Sequence, residues 1–458
     1  MILARSSVLG QEKGTEMEGE RTYLLGPRER SGLIAGWRVG QVAMIGSGCG
    51  AGLICVAVSS RAPGFLMALF FVVSGLALGT LPIRGRSVDE WIPPLLAYAR
   101  IHGTSSQDLF RVTPGVALGY PEEIGLIEDN AGSVSVVLFV ESSGIALLTG
   151  QAKDARIDGF ITALSSLARE RPVIDCVSWS MWTTASEPGE RYRDLRKRSE
   201  NATQESSQSY RDFLEEVGRV GVSRHVAITL RMSSKRIQDS SVSLLDEAHA
   251  LSRALRESGH PSVSIASASE IIDLFDHHPG CRSHRGDAST QISFEGTSHF
   301  TMLECDNKLV NSWWIMEWPK FEVTAEFLAP LVLGDTSRTI SVVVELVPPS
   351  VALRRAQSAK TSGVADQELR RRGGFLLDRR RERESGHLEN REAELIDGHG
   401  SLRIVGYVAV TADDDASLQS KISETELAGA QAHLGLLRLN GDHLRGYLAT
   451  LPLARGLP

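Results

Sequence analysis

Apolar residues are concentrated in one stretch near the amino terminus of this 458-residue chain. Positions 39–60 and positions 62–83 contain no charged residue, and each run is close to the roughly 20 residues that a helix needs to cross a bilayer. Only a short turn at Arg61 separates the two runs, so their helices must be antiparallel neighbours. The pattern predicts a two-helix transmembrane hairpin over residues 37–84, preceded by a flexible tail over residues 1–36.

Arginine flanks this hairpin on both sides but occurs only once, as Arg61, in its turn. Basic residues remain on the cytoplasmic side of a bacterial membrane, which predicts that both termini are cytoplasmic. More than thirty mostly polar residues precede the first run, unlike a cleavable signal peptide. We therefore expect a multi-pass protein of the bacterial inner membrane. The flanking arginines are Arg28, Arg30, Arg38, Arg84 and Arg86.

Glycines recur at helical spacing in the first apolar run. The pairs Gly46/Gly50 and Gly48/Gly52 are each four positions apart, a spacing that lets helix backbones approach closely. They indicate packing against the second helix or another membrane protein. Glycine is also common in transmembrane helices generally, so the alternative that these glycines mark no specific contact stays open.

Beyond residue 94 the pattern changes to alternating strands and helices. β-Branched and aromatic runs predict strands near 134–140, 226–232 and 338–347. Apolar residues at helical spacing predict helices near 157–167 and 244–255. The chain is therefore expected to be an α+β protein, with cytoplasmic α/β subdomains built on mixed sheets.

Turn-forming and charged residues divide this cytoplasmic part. The polar stretch 277–297 predicts a linker loop between a first subdomain over residues 95–276 and a second over residues 298–458. Within the second subdomain, residues 354–397 mix charges of both signs and predict a long charged helical segment, largely solvated.

Charge and cysteine content narrow the class of protein. A formal net charge of -7 argues against a chain-wide affinity for nucleic acid, although direct contact with DNA stays open. Five cysteines without CxxC spacing fit a reducing cytoplasm. Locally, Arg370, Arg371 and Arg372 lie beside two glycines and predict either a hinge, a docking point for an acidic partner or solvated surface.

Histidine and cysteine are densest at His277, His278, Cys281 and His284. These side chains can hold zinc when four converge, but their spacing matches no standard finger and adjacent histidines rarely share an ion. A variable loop is the better explanation, and no cofactor or metal is predicted.

Three tryptophans cluster within six positions. In a regular strand Trp314 and Trp318 project to one side and Trp313 to the other. One side is expected to pack in the core and the other could form a protein interface, because exposed aromatic residues often anchor such contacts.

Five short motifs carry a resemblance to a known family. Together with the hairpin, they resemble an actinobacterial family of membrane proteins encoded with conjugation-type transfer genes. In architecture that family is similar to the small membrane-hairpin subunit of type IV secretion fused to the amino-terminal domain of the large VirB-type ATPase. The resemblance extends from about Tyr23 to the end. The motifs are GRSVDEW at 85–91, EWP at 317–319, RTISVV at 338–343, RRGGF at 371–375 and TLPL at 450–453.

The chain departs from the full ATPase at the nucleotide site. A P-loop ends in Gly-Lys-Ser/Thr, because its backbone N–H groups and its lysine hold the phosphates. No Gly-Lys dipeptide occurs in the sequence. The resemblance therefore implies a non-catalytic structural component that docks a P-loop ATPase on a separate chain, together with other secretion-channel proteins, in an oligomeric complex.

Two alternatives remain at this point. The hairpin followed by residues 85–91 is also similar to EccE, a membrane component of type VII secretion. A membrane enzyme of unrecognised type needs a nucleophile with a positioned base or paired carboxylates, and no spacing in this sequence selects such a set.

Overall fold

The computed structural model combines two apolar amino-terminal helices with an α/β region. The helices, numbered in chain order, are α1 (Val39–Val58), α2 (Ala62–Thr80), α3 (Gly150–Leu167), α4 (Ser241–Glu257), α5 (Ala268–Asp276), α6 (Ala329–Val332), α7 (Asp415–Gln431) and α8 (His443–Thr450). The residues described are 39–58, 62–81, 103–115, 124–141, 148–167, 174–185, 222–233, 241–260, 262–286, 289–319, 321–324, 326–334, 336–348, 350–354 and 401–456, with 4–5, 23–24, 91, 95, 98, 208–209 and 357.

The strands form one large sheet and one small sheet. In chain order they are β1 (Ala4–Arg5), β2 (Tyr23–Leu24), β3 (Gly103–Pro114), β4 (Gly125–Asp129), β5 (Val134–Val140), β6 (Cys176–Ala185), β7 (Val222–Met232), β8 (Val263–Ile265), β9 (Cys281–Arg285), β10 (Thr290–Ser298), β11 (Leu303–Cys305), β12 (Lys308–Glu317), β13 (Glu322–Val323), β14 (Arg338–Val347), β15 (Ser401–Ala412) and β16 (Gly435–Arg438).

Ten strands of the large sheet close into a barrel. The ring runs β10-β3-β4-β5-β7-β6-β14-β15-β12-β11 and returns to β10, while β8, β9 and β16 pair with β5, β10 and β12. Every strand pairing in the described residues is antiparallel. The expected subdomains with mixed sheets are therefore wrong, because the sheet is one closed antiparallel barrel, although the α and β content and the two apolar helices are confirmed.

The predicted linker at 277–297 is also wrong for most of its length. Its residues include β9 and the first part of β10, which pair with each other and extend the barrel wall. The turn at Pro279 and Gly280 is as expected. Within β10, Ile292 and Phe294 are buried in the core. Both predicted subdomains thus contribute strands to one barrel. The charged segment 354–397 lies outside the described residues, apart from Arg354 and position 357.

Helices cover the outside of the barrel. Leu164 of α3 and Leu251 of α4 join an apolar cluster with Leu138 and Leu230 on the wall. On the neighbouring side, α7 packs Leu418 and its apolar partners against β12, β14 and β15. These helices explain why the outward wall positions carry large aliphatic side chains.

The carboxyl-terminal residues 443–456, here called the plug, fill the barrel interior. Helix α8 packs on β12, β14 and β15, whereas Thr229 on β7 donates to the Pro452 carbonyl at 3.0 Å. Arg455 donates to the Leu109 carbonyl on β3 at 2.9 Å. Because these strands lie on different sides of the ring, a segment that contacts all of them must occupy the lumen.

Small side chains on the inner wall make room for the plug. Ser178 pairs across strands with Thr229, and Ser180 donates to the Ser341 hydroxyl at 3.1 Å. All four side chains are fully buried. A barrel filled by its own side chains would need bulky residues here, so the small hydroxyl residues match a lumen occupied by backbone.

Candidate functional site

The hairpin helices are in close contact through glycine. A Cβ atom added at Gly48 would lie 2.8 Å from the Phe71 carbonyl oxygen and 2.9 Å from the Gly75 Cα atom. One at Gly52 would lie 3.1 Å from the Ala68 carbonyl oxygen. Glycine at these positions therefore permits the backbones of α1 and α2 to approach each other.

The other predicted glycine pair has a different environment. A Cβ atom at Gly46 or Gly50 would meet nothing within 4 Å. The structure thus brings only Gly48 and Gly52 of the four glycines to the α1–α2 contact. The spacing of four residues was the same in both pairs, so it could not distinguish the packed pair from the open one.

Helices α1 and α2 are long and apolar enough to cross a membrane. Only 11 % and 17 % of their apolar windows are buried within the structure, whereas a core helix of a soluble domain is mostly buried. Exposed side chains such as Leu53, Phe65 and Phe70 cover most of their surface. This association with a membrane is the part of the localisation that the structure supports.

The amino-terminal segment returns to the barrel domain. Leu24 of β2 pairs with Glu322 of β13, and Ala4 of β1 pairs with Leu24 on its other side. Of the predicted flexible tail, β1 and β2 are described and are ordered in this small sheet. A chain that crosses a bilayer twice begins and ends on the same side, which agrees with this pairing.

The tryptophan cluster is arranged differently from the prediction. Trp313 is fully buried in the outer cluster beneath α7, and Trp318 packs in the same cluster, whereas Trp314 packs in the inner cluster with Tyr407. The predicted partition was wrong because the ladder to β16 shifts between Ile315 and Glu317, which reverses the alternation. None of the three side chains is highly exposed.

The predicted metal-ligand candidates do not converge. His277 is exposed at the end of α5, His278 is buried, and the His284 ring bonds the Ser293 hydroxyl at 2.9 Å. In the part of the chain that the structure describes, no three His, Cys, Asp or Glu residues group closely enough to hold a metal. Arg370, Arg371 and Arg372 lie outside that part.

Two arginines hold the short helix α6 against the barrel. Arg338, only 4 % exposed, donates to the Pro330 and Leu331 carbonyls and to the Thr425 hydroxyl of α7 at 3.1–3.3 Å. Arg224 donates to the carbonyl of Val332, the last residue of α6, and to those of the next two residues. Burial lowers the pKa of Arg338 from its ordinary value. The cations complement the negative end of the helix dipole, so this arrangement is structural.

A shallow polar groove of about 370 Å³ lies close to Arg338, between α7 and the residues that precede β14. It is lined mainly by hydroxyl side chains together with Lys421 and Glu424. Glu424 accepts hydrogen bonds from Thr336 and from Ser420, and the first of these holds its pKa below the ordinary value. Lys421 donates to the Thr411 carbonyl at 2.6 Å. Both ionised groups are thus already bonded to neighbouring groups of the protein.

Aromatic and histidine rings cluster around Trp182 of β6. The Trp182 ring stacks on His225 at 5.5 Å and contacts His278 at 5.7 Å. Burial lowers the pKa of His278 to about 4, and its Nδ1 atom bonds the Leu274 carbonyl. The His278 ring is therefore neutral in the folded protein near pH 7.

The plug leaves the lumen beside a buried ion cluster. Arg231 donates to Asp129 at 2.9 Å, and Arg455 lies 3.8 Å from the same carboxylate, which is only 10 % exposed. Local patterns did not reveal this feature. The signal in the sequence was the apolar run at 451–454 near the end of the chain together with the serines of β6.

Neither a scan against models of protein families nor a search of curated proteins finds a match to this chain.

Proposed function

We propose that the chain is a non-catalytic, membrane-anchored structural component of a bacterial conjugation or type IV-like secretion apparatus. The hairpin α1–α2 anchors it in the inner membrane with both termini in the cytoplasm. The barrel domain docks a P-loop ATPase carried on a separate polypeptide, among other channel proteins of the same oligomeric machine.

The plugged lumen is the observation that carries this proposal. Barrel enzymes and carriers bind small molecules in a lumen or mouth, but here residues 443–456 occupy that space. The chain thus offers outer surfaces rather than an interior. Three of the motifs behind the family resemblance, at 317–319, 338–343 and 450–453, also lie on the wall and plug of this one barrel.

Affinity purification of the full-length chain from its native membranes in a mild detergent tests the proposal. An unrelated tagged membrane protein from the same cells is the control for non-specific capture. We expect a P-loop ATPase and channel proteins to be recovered in stable, stoichiometric amounts with this chain and not with the control protein. Recovery of the chain by itself would overturn the docking role, and recovery of the type VII core proteins would assign the EccE-like alternative.

A further inference from the structure

Large apolar side chains are seldom exposed on the barrel domain. Beyond the hairpin and the adjoining Leu81, the described residues expose Leu95, Phe321, Leu333 and Leu427. Single exposed leucines are normal on a soluble surface and need no explanation. Leu95 and Phe321 differ because each adjoins a segment that connects the barrel to the membrane helices.

The connection after α2 reaches the barrel at Phe300. The Trp91 ring stacks on Phe300 at 6.0 Å, and the Tyr98 ring meets it edge-on at 5.7 Å. Leu95 lies between these two contacts and is 46 % exposed. Trp91 follows Thr80 by only eleven positions, which bounds their separation at about 40 Å even in a fully extended chain.

The connection before α1 reaches the barrel at β13. Leu24 pairs with Glu322, and the preceding Phe321 is 51 % exposed with its ring edge against His433 at 4.9 Å. Fifteen positions separate Leu24 from Val39, which allows at most about 54 Å of extended chain. The exposed aromatic ring is therefore joined to the start of the first membrane helix through the β2–β13 pairing and this short length of chain.

Both connections meet the same end of the barrel. Strands β10 and β12 are each antiparallel to β11 and so run in the same direction. Phe300 follows the end of β10 at Ser298, and Phe321 follows the end of β12 at Glu317. Arg285 pairs with Thr290 at the opposite end of β10.

We propose that this end of the barrel rests on the cytoplasmic surface of the bilayer, with Leu95 and Phe321 inserted among the lipid headgroups. Aromatic rings favour this interfacial layer, where apolar and polar surroundings meet. Arg28, Arg30 and Arg38, in the connection before α1, add attraction to anionic lipid. The proposal rests on insertion of the hairpin but not on the docking of an ATPase.

Fluorescence quenching in proteoliposomes tests the contact. The full chain carries Cys49→Ser and Cys55→Ser, and single cysteines replace Leu95, Phe321, Arg285 or Leu53 for labelling with an environment-sensitive dye. The remaining cysteines, Cys176, Cys281 and Cys305, are buried and have a pKa raised to about 12, so they react little. The vesicles contain neutral and anionic phospholipids with a nitroxide near the headgroup or deep in the acyl chain.

Dyes at Leu95 and Phe321 should be quenched by the shallow nitroxide at least about twofold more than the dye at Arg285. The dye at Leu53 of α1, which is 73 % exposed, should respond to the deep nitroxide. If Leu53 responds while Leu95 and Phe321 match Arg285, the headgroup contact is wrong and the anchor stands. If Leu53 does not respond, the membrane anchor and this proposal both fail.

Discussion

Buried polar side chains decide much of the barrel's stability at the scale of single residues. Arg338 bonds two carbonyls of α6 and one hydroxyl of α7, whereas Arg403 forms an exposed ion pair with Glu345 at 3.0 Å. Removing a buried donor leaves its acceptors without partners in a dry environment, whereas an exposed pair contributes little. The two arginines therefore form a matched comparison.

Arg338→Met should lower the free energy of unfolding by about 2–4 kcal/mol, because three acceptors, two of them buried, lose their donor. Arg403→Met should lower it by less than about 1 kcal/mol. Chemical denaturation of the detergent-solubilised chain measures both values. Equal effects of the two substitutions would show that Arg338 does not hold α6 to the barrel.

His278 makes stability depend on pH. Burial lowers its pKa in the folded protein to about 4 from the ordinary value of 6.5, so the unfolded chain binds a proton more readily. The contribution of the neutral His278 ring to the free energy of unfolding is complete above about pH 6.5 and is lost as the pH falls towards 4. Lowering the pH from 7.5 to 5 should therefore reduce the free energy of unfolding by about 2 kcal/mol through this group. His278→Phe should reduce the measured pH dependence by that amount, and an unchanged pH dependence in this variant would contradict the role given to His278.

The glycine contacts of the hairpin also give a matched pair. Gly48→Val places methyl groups where only 2.8–2.9 Å separates an added Cβ atom from α2, whereas Gly50→Val meets open space. We expect Gly48→Val to reduce disulfide cross-linking between cysteines at positions 45 and 79 by about tenfold, because the helices must separate. An equal loss in Gly50→Val would contradict the assigned contact face.

Local patterns identified several elements at the scale of strands and helices. The hairpin runs and the strands near 134–140, 226–232 and 338–347 agree with α1, α2, β5, β7 and β14, because each has a strong apolar period of its own. The tryptophan partition failed because one bulge reverses alternation without changing composition. The linker prediction failed because the turn-forming residues at Pro279 and Gly280 indicate a loop only locally and not over the whole of 277–297, where β9 and most of β10 lie.

The plug is the element with the largest expected effect on folding. Leu451 is fully buried in the lumen, whereas Leu427 of α7 is 61 % exposed. Leu451→Ala should lower the free energy of unfolding by about 2–5 kcal/mol, since it leaves a cavity between the plug and the wall. Leu427→Ala should change it by less than about 0.5 kcal/mol. Thermal unfolding of the two variants compares them directly, and equal midpoints would place Leu451 outside the core.

The closed ring belongs to the scale of the whole molecule and could not be predicted locally. β6 pairs with β14 across more than 150 positions, and the short strand β11 joins β10 to β12. Periodicity shows which face of a strand is buried but not which distant strand it pairs with. The lumen could not be assigned to the C-terminal residues until the ring was known to close.

The proposed scaffold role requires that the hairpin crosses the bilayer and that the barrel lies on the cytoplasmic side. Two chains, each with one added accessible cysteine, Arg61→Cys in the turn or Arg285→Cys on the barrel, test this with a membrane-impermeant maleimide, because the three remaining cysteines are buried. Both carry the Cys49→Ser and Cys55→Ser replacements. In intact spheroplasts the account predicts labelling at position 61 only, and in inverted vesicles at position 285 only. Labelling of both positions from the same side would contradict the membrane anchor and the scaffold built on it.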